Sequence, residues 1–175
     1  MLQATDPILS AMRNFADYNL WANTTMINWL KTKPEALLEQ EVLSSFKGIR
    51  ATLVHIWHTQ CYWLSVINHT TFTPEEYTGS TEALFDHIID QSAATAAYVN
   101  EMSRDTMEDS TLITNPWFEC NYPNFEYIIQ CMNHSTYHRG QIVTIGHHLG
   151  FTDAPMTDYN FYNVATKAGT LKSAE

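Results

Sequence analysis

Four long stretches of this chain repeat apolar residues at helical spacing, and that periodicity limits the possible folds more than any other feature of the sequence. The first opens at Asp6-Pro7, an N-cap residue followed by proline at the first helical position, and runs to about Lys31. Its stripe includes Ile8, Met12, Phe15, Leu20, Met26, Ile27 and Leu30. Lys33-Pro34 ends it, and Glu35 to Gln40 has room for one short turn. The second stretch runs from near Gly48 to near His69, with Leu53, Ile56, Trp57, Trp63, Leu64 and Ile67 on its apolar side. Ser80 or Thr81 caps the third, which reaches about Met102. Asn124 caps the fourth, with Glu126 in its first turn, and Gly150 terminates it. Four such stripes predict an all-α fold, an antiparallel four-helix bundle.

The remaining segments refine that expectation. Residues 103–123 form an unusually long connection between the third and fourth helices. Apolar runs on either side of Asn115-Pro116 predict a short hairpin there, placed as a lid. The tail from Phe151 is ordered by its aromatics to about Tyr162 and frays after about residue 163. At 175 residues the chain reads as one domain, 1–175, large enough for a sizeable core. Asn19 and Asn23, one turn apart, read as a solvated edge, and His87 as a surface residue. Gly140 lies inside the fourth helix, where glycine costs about 1 kcal/mol relative to alanine, and so predicts a close helix–helix approach.

Composition narrows the function. The formal net charge of −10 excludes a general binder of the phosphate backbone, so no nucleic-acid partner is expected. Three cysteines without C-x-x-C spacing make no disulfide framework and point to a reducing, cytoplasmic compartment. No basic leader precedes an apolar run, and no stretch of 18 apolar residues occurs, so neither a signal peptide nor a membrane span is expected.

Chemistry concentrates in Asn133-His134-Ser135-Thr136-Tyr137-His138-Arg139-Gly140-Gln141. At about 100° per residue, His134 and His138 share one helix face and can close on a single metal ion. Ser135 follows the first histidine, so the general base of an H-E-x-x-H protease is absent. A third histidine comes from the second helix. His55 and His58 are rivals for it, one turn apart, and the spacing alone does not choose between them. Three histidines plus a water or substrate make an open, catalytic type of site. Cys131, one turn before His134, offers an alternative closing ligand. A di-iron bundle needs Glu-x-x-His pairs, and none occurs in this chain.

These segments resemble the DinB/YfiT-like family of four-helix-bundle metalloproteins over nearly the whole chain. The similarity rests on Tyr18-Asn19-Leu20-Trp21-Ala22-Asn23, Ala51-Thr52-Leu53-Val54-His55-Ile56, the 133–141 motif and Pro155-Met156-Thr157-Asp158-Tyr159. The resemblance implies an up-down-down-up bundle with one divalent ion held by His55, His134 and His138, and thereby favours His55 over His58. Zinc or nickel is favoured, with iron as a further option. Relatives often carry Glu where Gln60 stands, a departure that bears on local hydrogen bonding.

Members of known chemistry use the metal to activate a thiol, in sulfur transfer or in isomerisation of unsaturated acids. The resemblance therefore implies a metal-dependent transferase or hydrolase with a small-molecule substrate, using a low-molecular-weight thiol and acting as a homodimer. A non-catalytic metal-binding or sensing module and an interaction scaffold are the alternatives. Tyr62, Tyr127, Tyr137 and His58 lie on or beside the ligand lanes as proton-transfer candidates, with none singled out. Gln141 is placed to orient a ligand imidazole, and Arg139, about 100° away from His138, is placed in a structural salt bridge.

Overall fold

The computed structural model describes residues 6–169. The ends of the 1–175 domain and of the fraying tail, residues 1–5 and 170–175, lie outside the described residues. The elements in chain order are α1 (Pro7–Leu30), α2 (Glu35–Leu38), α3 (Ile49–Ile67), α4 (Thr81–Glu101), α5 (Arg104–Glu108), β1 (Ser110–Thr114), β2 (Glu119–Pro123), α6 (Asn124–His148) and α7 (Tyr159–Lys167). The protein is mostly helical, with one small antiparallel sheet that pairs Ser110 with Pro123 and Thr114 with Glu119.

Local chemistry accounts for most boundaries. Asp6 accepts hydrogen bonds from the Ile8 and Leu9 amides, and Ser80 accepts from that of Ala83. Asn124 does not cap α6; Pro123 holds that position, and Asn124 is fully buried. Its side chain donates to the Thr106 carbonyl and accepts from the Thr111 hydroxyl, tying α5 and β1 to the start of α6. Order also extends past Tyr162, because α7 docks on α1 through Tyr162 against Tyr18 and through Asn14 bonded to Tyr159 and Asn163.

Each long helix packs against two others: α1 and α3 both lie against α4 and α6. Contacts along their lengths give the directions. Lys31 meets Asp86 and Asp17 meets Asn100, so α1 and α4 run antiparallel. Trp57 stacks on His87 and Tyr98 bonds the Ile67 carbonyl, so α3 and α4 run parallel. Trp63 stacks on Tyr127 while His55 meets His134, so α3 and α6 are antiparallel. The 70–79 segment supplies the crossover that a parallel α3–α4 pair requires.

Two large apolar clusters make up most of the core, and a smaller one of Tyr18, Ala22 and Tyr162 joins α1 to α7. One apolar cluster is built from Met26, Leu30, Ile49, Leu53, Leu84 and Ile142, the other from Ala16, Ile67, Val99, Met107, Ile128 and Met132. Burying each of the Leu, Ile, Val and Met side chains contributes about 1.5–3 kcal/mol. Between them lies a layer of buried polar residues from all four long helices: Asn19, Asn23, Gln60, Ser92 and Arg139. Asn19 and Asn23 are therefore not a solvated edge. Their amide oxygens accept from the Arg139 guanidinium at 2.9 and 2.7 Å, and their nitrogens reach Gln60 and Ser92. Arg139 is structural, as the sequence suggests, but its hydrogen-bond partners are Asn19, Asn23, Tyr18 and Thr136 rather than a carboxylate.

The glycine expectation is also reversed. A Cβ at Gly140 would meet nothing within 4 Å, whereas one at Gly146 would lie 3.0 Å from the Trp29 ring and 3.2 Å from that of Phe151. Close approach belongs to Gly146.

Candidate metal centre

Level with the polar layer, the antiparallel α3 and α6 bring three imidazoles together. His55 Nε2 lies 3.0 Å from His134 Nε2, which lies 3.1 Å from His138 Nε2. One ligand atom from each of the three falls within 4.8 Å of the others, so the group can hold a metal ion. Nitrogens sharing one zinc at bond lengths of about 2.0–2.1 Å and tetrahedral angles stand about 3.3 Å apart. The i, i+4 spacing on α6 places two of the three, and the pairing of α3 with α6 supplies the other.

The donor chemistry suits a divalent cation. Burial first, and the neighbouring histidines second, push the pKa of His55 and of His134 down to about 4. His138 is lowered as well, by burial. At neutral pH all three rings are uncharged and offer lone pairs, as ligation demands. His138 Nδ1 lies 2.7 Å from Gln141 Oε1. An amide oxygen only accepts, so Nδ1 carries the proton and Nε2 is left free to bind metal. Gln141 therefore orients this ring, as its position in the motif suggests, and its amide nitrogen also donates to Ser45 at 3.3 Å. His134 Nδ1 is buried without a hydrogen-bond partner among the described residues.

Other candidates fall elsewhere. His58 is turned toward Trp57 and Phe72 and does not join the group. Cys131 is buried outside it, with its thiol pushed up to about 12 by burial first and by Cys61 second. Tyr127 donates to the Thr111 carbonyl and accepts from the Tyr122 amide, so its hydroxyl anchors the hairpin. Burial raises its pKa to about 12, which removes it from proton transfer near neutrality. Tyr137 is largely exposed, with its ring 5.0 Å from that of His138.

Sequence reasoning missed Phe46. Its ring stacks on His55 at 4.0 Å and meets His138 edge-on at 5.4 Å. The loop between α2 and α3 covers the histidines from that side, while the hairpin expected as a lid packs further along α3 and α6, at Trp63 and Tyr127. The only signal for Phe46 was a lone aromatic in an otherwise polar run, Ser44-Ser45-Phe46-Lys47-Gly48.

The sequence profile of the DinB family matches residues 1–170. The chain belongs to the DinB family. It is also 28% identical over 162 residues to Protein DinB of Bacillus subtilis (strain 168), an alignment covering 86% of this chain and 92% of that relative. The family match takes in every element that builds the three-histidine group, from α1 to α7.

Proposed function

We propose that this DinB-family chain is a metal-dependent enzyme of the thiol-dependent S-transferase or hydrolase type, acting on a small molecule. His55, His134 and His138 hold one divalent ion, zinc or nickel in preference to iron, and leave a position open. The observation that carries this reading is the convergence of three uncharged imidazole nitrogens at one depth of the core, with no Cys, Asp or Glu joining them among the described residues. A structural site would be closed by a fourth protein ligand. When bound, the ion supplies Lewis acidity that lowers the pKa of a thiol or water. The chain's own contribution is positional: Gln141 fixes the His138 ring, and Phe46 excludes water from one side of the histidines.

The architecture in this reading is one domain, an up-down-down-up four-helix bundle with the hairpin inserted between its last two helices. Helix directions taken from the contacts support that order. Free cysteines fit a cytoplasmic protein, and among the described residues no helix is long and apolar enough to cross a membrane. Exposed Phe161 and Val164 on α7, with Met156 just before it, fit a homodimer contact.

Elemental analysis of the purified protein, followed by turnover assays with a panel of low-molecular-weight thiols, tests this function. One equivalent of zinc or nickel with thiol-dependent turnover is expected. One equivalent with no turnover reassigns the chain to metal binding or sensing. No metal, and no rise in melting temperature on adding zinc or nickel, overturns the reading.

A further inference from the structure

The loop that carries Phe46 over the histidines is only loosely attached to the rest of the protein. None of residues 41–47 is buried, and Leu43 is fully exposed. The loop folds mainly on itself. The Val42 amide donates to the Lys47 carbonyl at 3.3 Å, the Lys47 amide to the Ser44 carbonyl at 3.5 Å and the Gly48 amide to the Ser44 hydroxyl at 3.2 Å. Well-formed N–H···O bonds cluster at about 2.9–3.0 Å, so these are long and weak. Among the described residues, one hydrogen bond ties 41–47 to the body of the protein, from Gln141 to Ser45 at 3.3 Å. Val42 packs on the apolar core at one end of the loop, but Phe46 belongs to none of the three apolar clusters. A cleft of about 390 Å³ separates residues 42–45 from Tyr137, Gly140, Gln141 and Thr144 of α6. The loop thus stands off that helix rather than packing on it.

Where the loop joins α3 the backbone takes up unusual angles. Lys47 has φ 56° and Gly48 has φ 130°. Residues other than glycine seldom adopt the first, and a Cβ at Gly48 would lie 2.7 Å from the Gln40 carbonyl oxygen. Lids commonly hinge at a few such positions beside a rigid element. The contacts at the far side of the hinge are specific. The Phe46 ring lies nearly flat on His55, 20° from parallel at 4.0 Å, and meets His138 edge-on at 5.4 Å.

We propose that residues 41–47 form a lid hinged at Lys47-Gly48, and that Phe46 is the gate through which a small-molecule substrate reaches the three histidines. This deepens the function proposed above and rests on its metal site. The lid expected of the hairpin is here the loop before α3. Opening it breaks two ring contacts and one hydrogen bond. That hydrogen bond comes from Gln141, whose oxygen holds the His138 ring, so lid closure and ring orientation share one side chain.

Acylation of histidines by diethyl pyrocarbonate in the metal-free full chain, followed by peptide mass spectrometry, tests the gate. The reagent attacks uncharged imidazole nitrogens and must pass the lid to reach them. In Phe46→Ala, His55 and His138 should react about tenfold faster, the worth of the two lost ring contacts, while exposed His87 keeps its rate. Phe46→Trp, which keeps an aromatic face, should restore the protection, and Ser45→Ala should speed the reaction by less. In the zinc-loaded chain, Phe46→Ala should raise the rates of zinc uptake and of loss to a chelator together, leaving the affinity within about threefold, since a gate alters both directions alike. Unchanged acylation of His55 and His138 in Phe46→Ala would overturn the proposal. So would an acceleration matched by a lower melting temperature and faster acylation of His87, or a loss of zinc affinity as large as the rise in its release rate. Protected histidines in a chain that takes up no zinc would remove the metal reading and leave the lid standing, so the two failures are distinguishable.

Discussion

Replacing Gln141 gives the sharpest test of how the histidine group is held. The residue is half-buried and makes two contacts, one to His138 Nδ1 at 2.7 Å and one to Ser45 at 3.3 Å. Gln141→Ala removes the acceptor that fixes the His138 proton on Nδ1. The ring is then free to place its proton on Nε2, the atom that faces the other two histidines, or to rotate. Loss of such an orienting partner typically weakens metal binding about 10–100-fold, equivalent to about 1.4–2.7 kcal/mol. The fold should change little, because the hydrogen bond to Ser45 joins an exposed loop and is worth about 1 kcal/mol at most. Gln141→Glu should restore or tighten binding, since a carboxylate is the stronger acceptor from the imidazole N–H. Competition of the metal-loaded variants against a chelator, with chemical denaturation of the metal-free proteins in parallel, separates the two effects. Unchanged metal affinity in Gln141→Ala would refute the orienting role. A fall in metal-free stability as large as the loss of affinity would show that the residue acts through the fold.

Further outcomes follow from the same geometry. His55→Ala, His134→Ala and His138→Ala should each weaken metal binding more than about 100-fold, while His58→Ala, which faces Trp57 and Phe72, should do far less in the same competition assay. His55 and His134 have pKa values near 4 in the folded chain against 6.5 ordinarily, so between those values the unfolded chain binds more protons. Their contribution to metal-free stability is therefore complete above pH 6.5 and is lost as pH falls toward 4, which thermal melts across that range should record and a His55→Gln, His134→Gln variant should flatten. Gly140→Ala should stabilise by up to about 1 kcal/mol, raising the melting temperature by about 2–4 °C, because the new methyl meets no neighbour. Gly146→Ala should lower it, since overpacking against Trp29 and Phe151 costs about 1–3 kcal/mol. Gln60→Glu should stabilise by about 1–3 kcal/mol at neutral pH, as it replaces a buried donor that has no partner with an acceptor near the unbalanced charge of Arg139; an unchanged or lowered melting temperature would refute this.

The polar layer explains why the last of these is asked of Gln60. Its Nε2 and the Nε of Arg139 are both buried donors without acceptors, while its Oε1 already takes bonds from Asn19, Asn23 and Ser92. Donors outnumber acceptors, and the one formal charge in the layer is positive. A carboxylate at position 60 corrects both imbalances. The layer also sets the depth of the histidines. It interrupts the apolar packing at one level of the core, and His138 stands next to Arg139 in the same turn of α6.

What the sequence determined by itself is local. Helix extent follows from apolar spacing, from Asp6 and Ser80 as caps and from Gly150 as terminator, because each depends on residues within one or two turns. The hairpin around Asn115-Pro116 and the shared face of His134 and His138 are legible for the same reason. The grouping of His55, rather than His58, with His134 and His138, the burial of Asn19 and Asn23, the carboxylate-free partners of Arg139 and the covering ring of Phe46 belong to the tertiary structure. A polar residue on a helix reads the same whether its face meets water or a guanidinium from another helix. Periodicity specifies faces, and only the packing of α1, α3, α4 and α6 determines what each face meets.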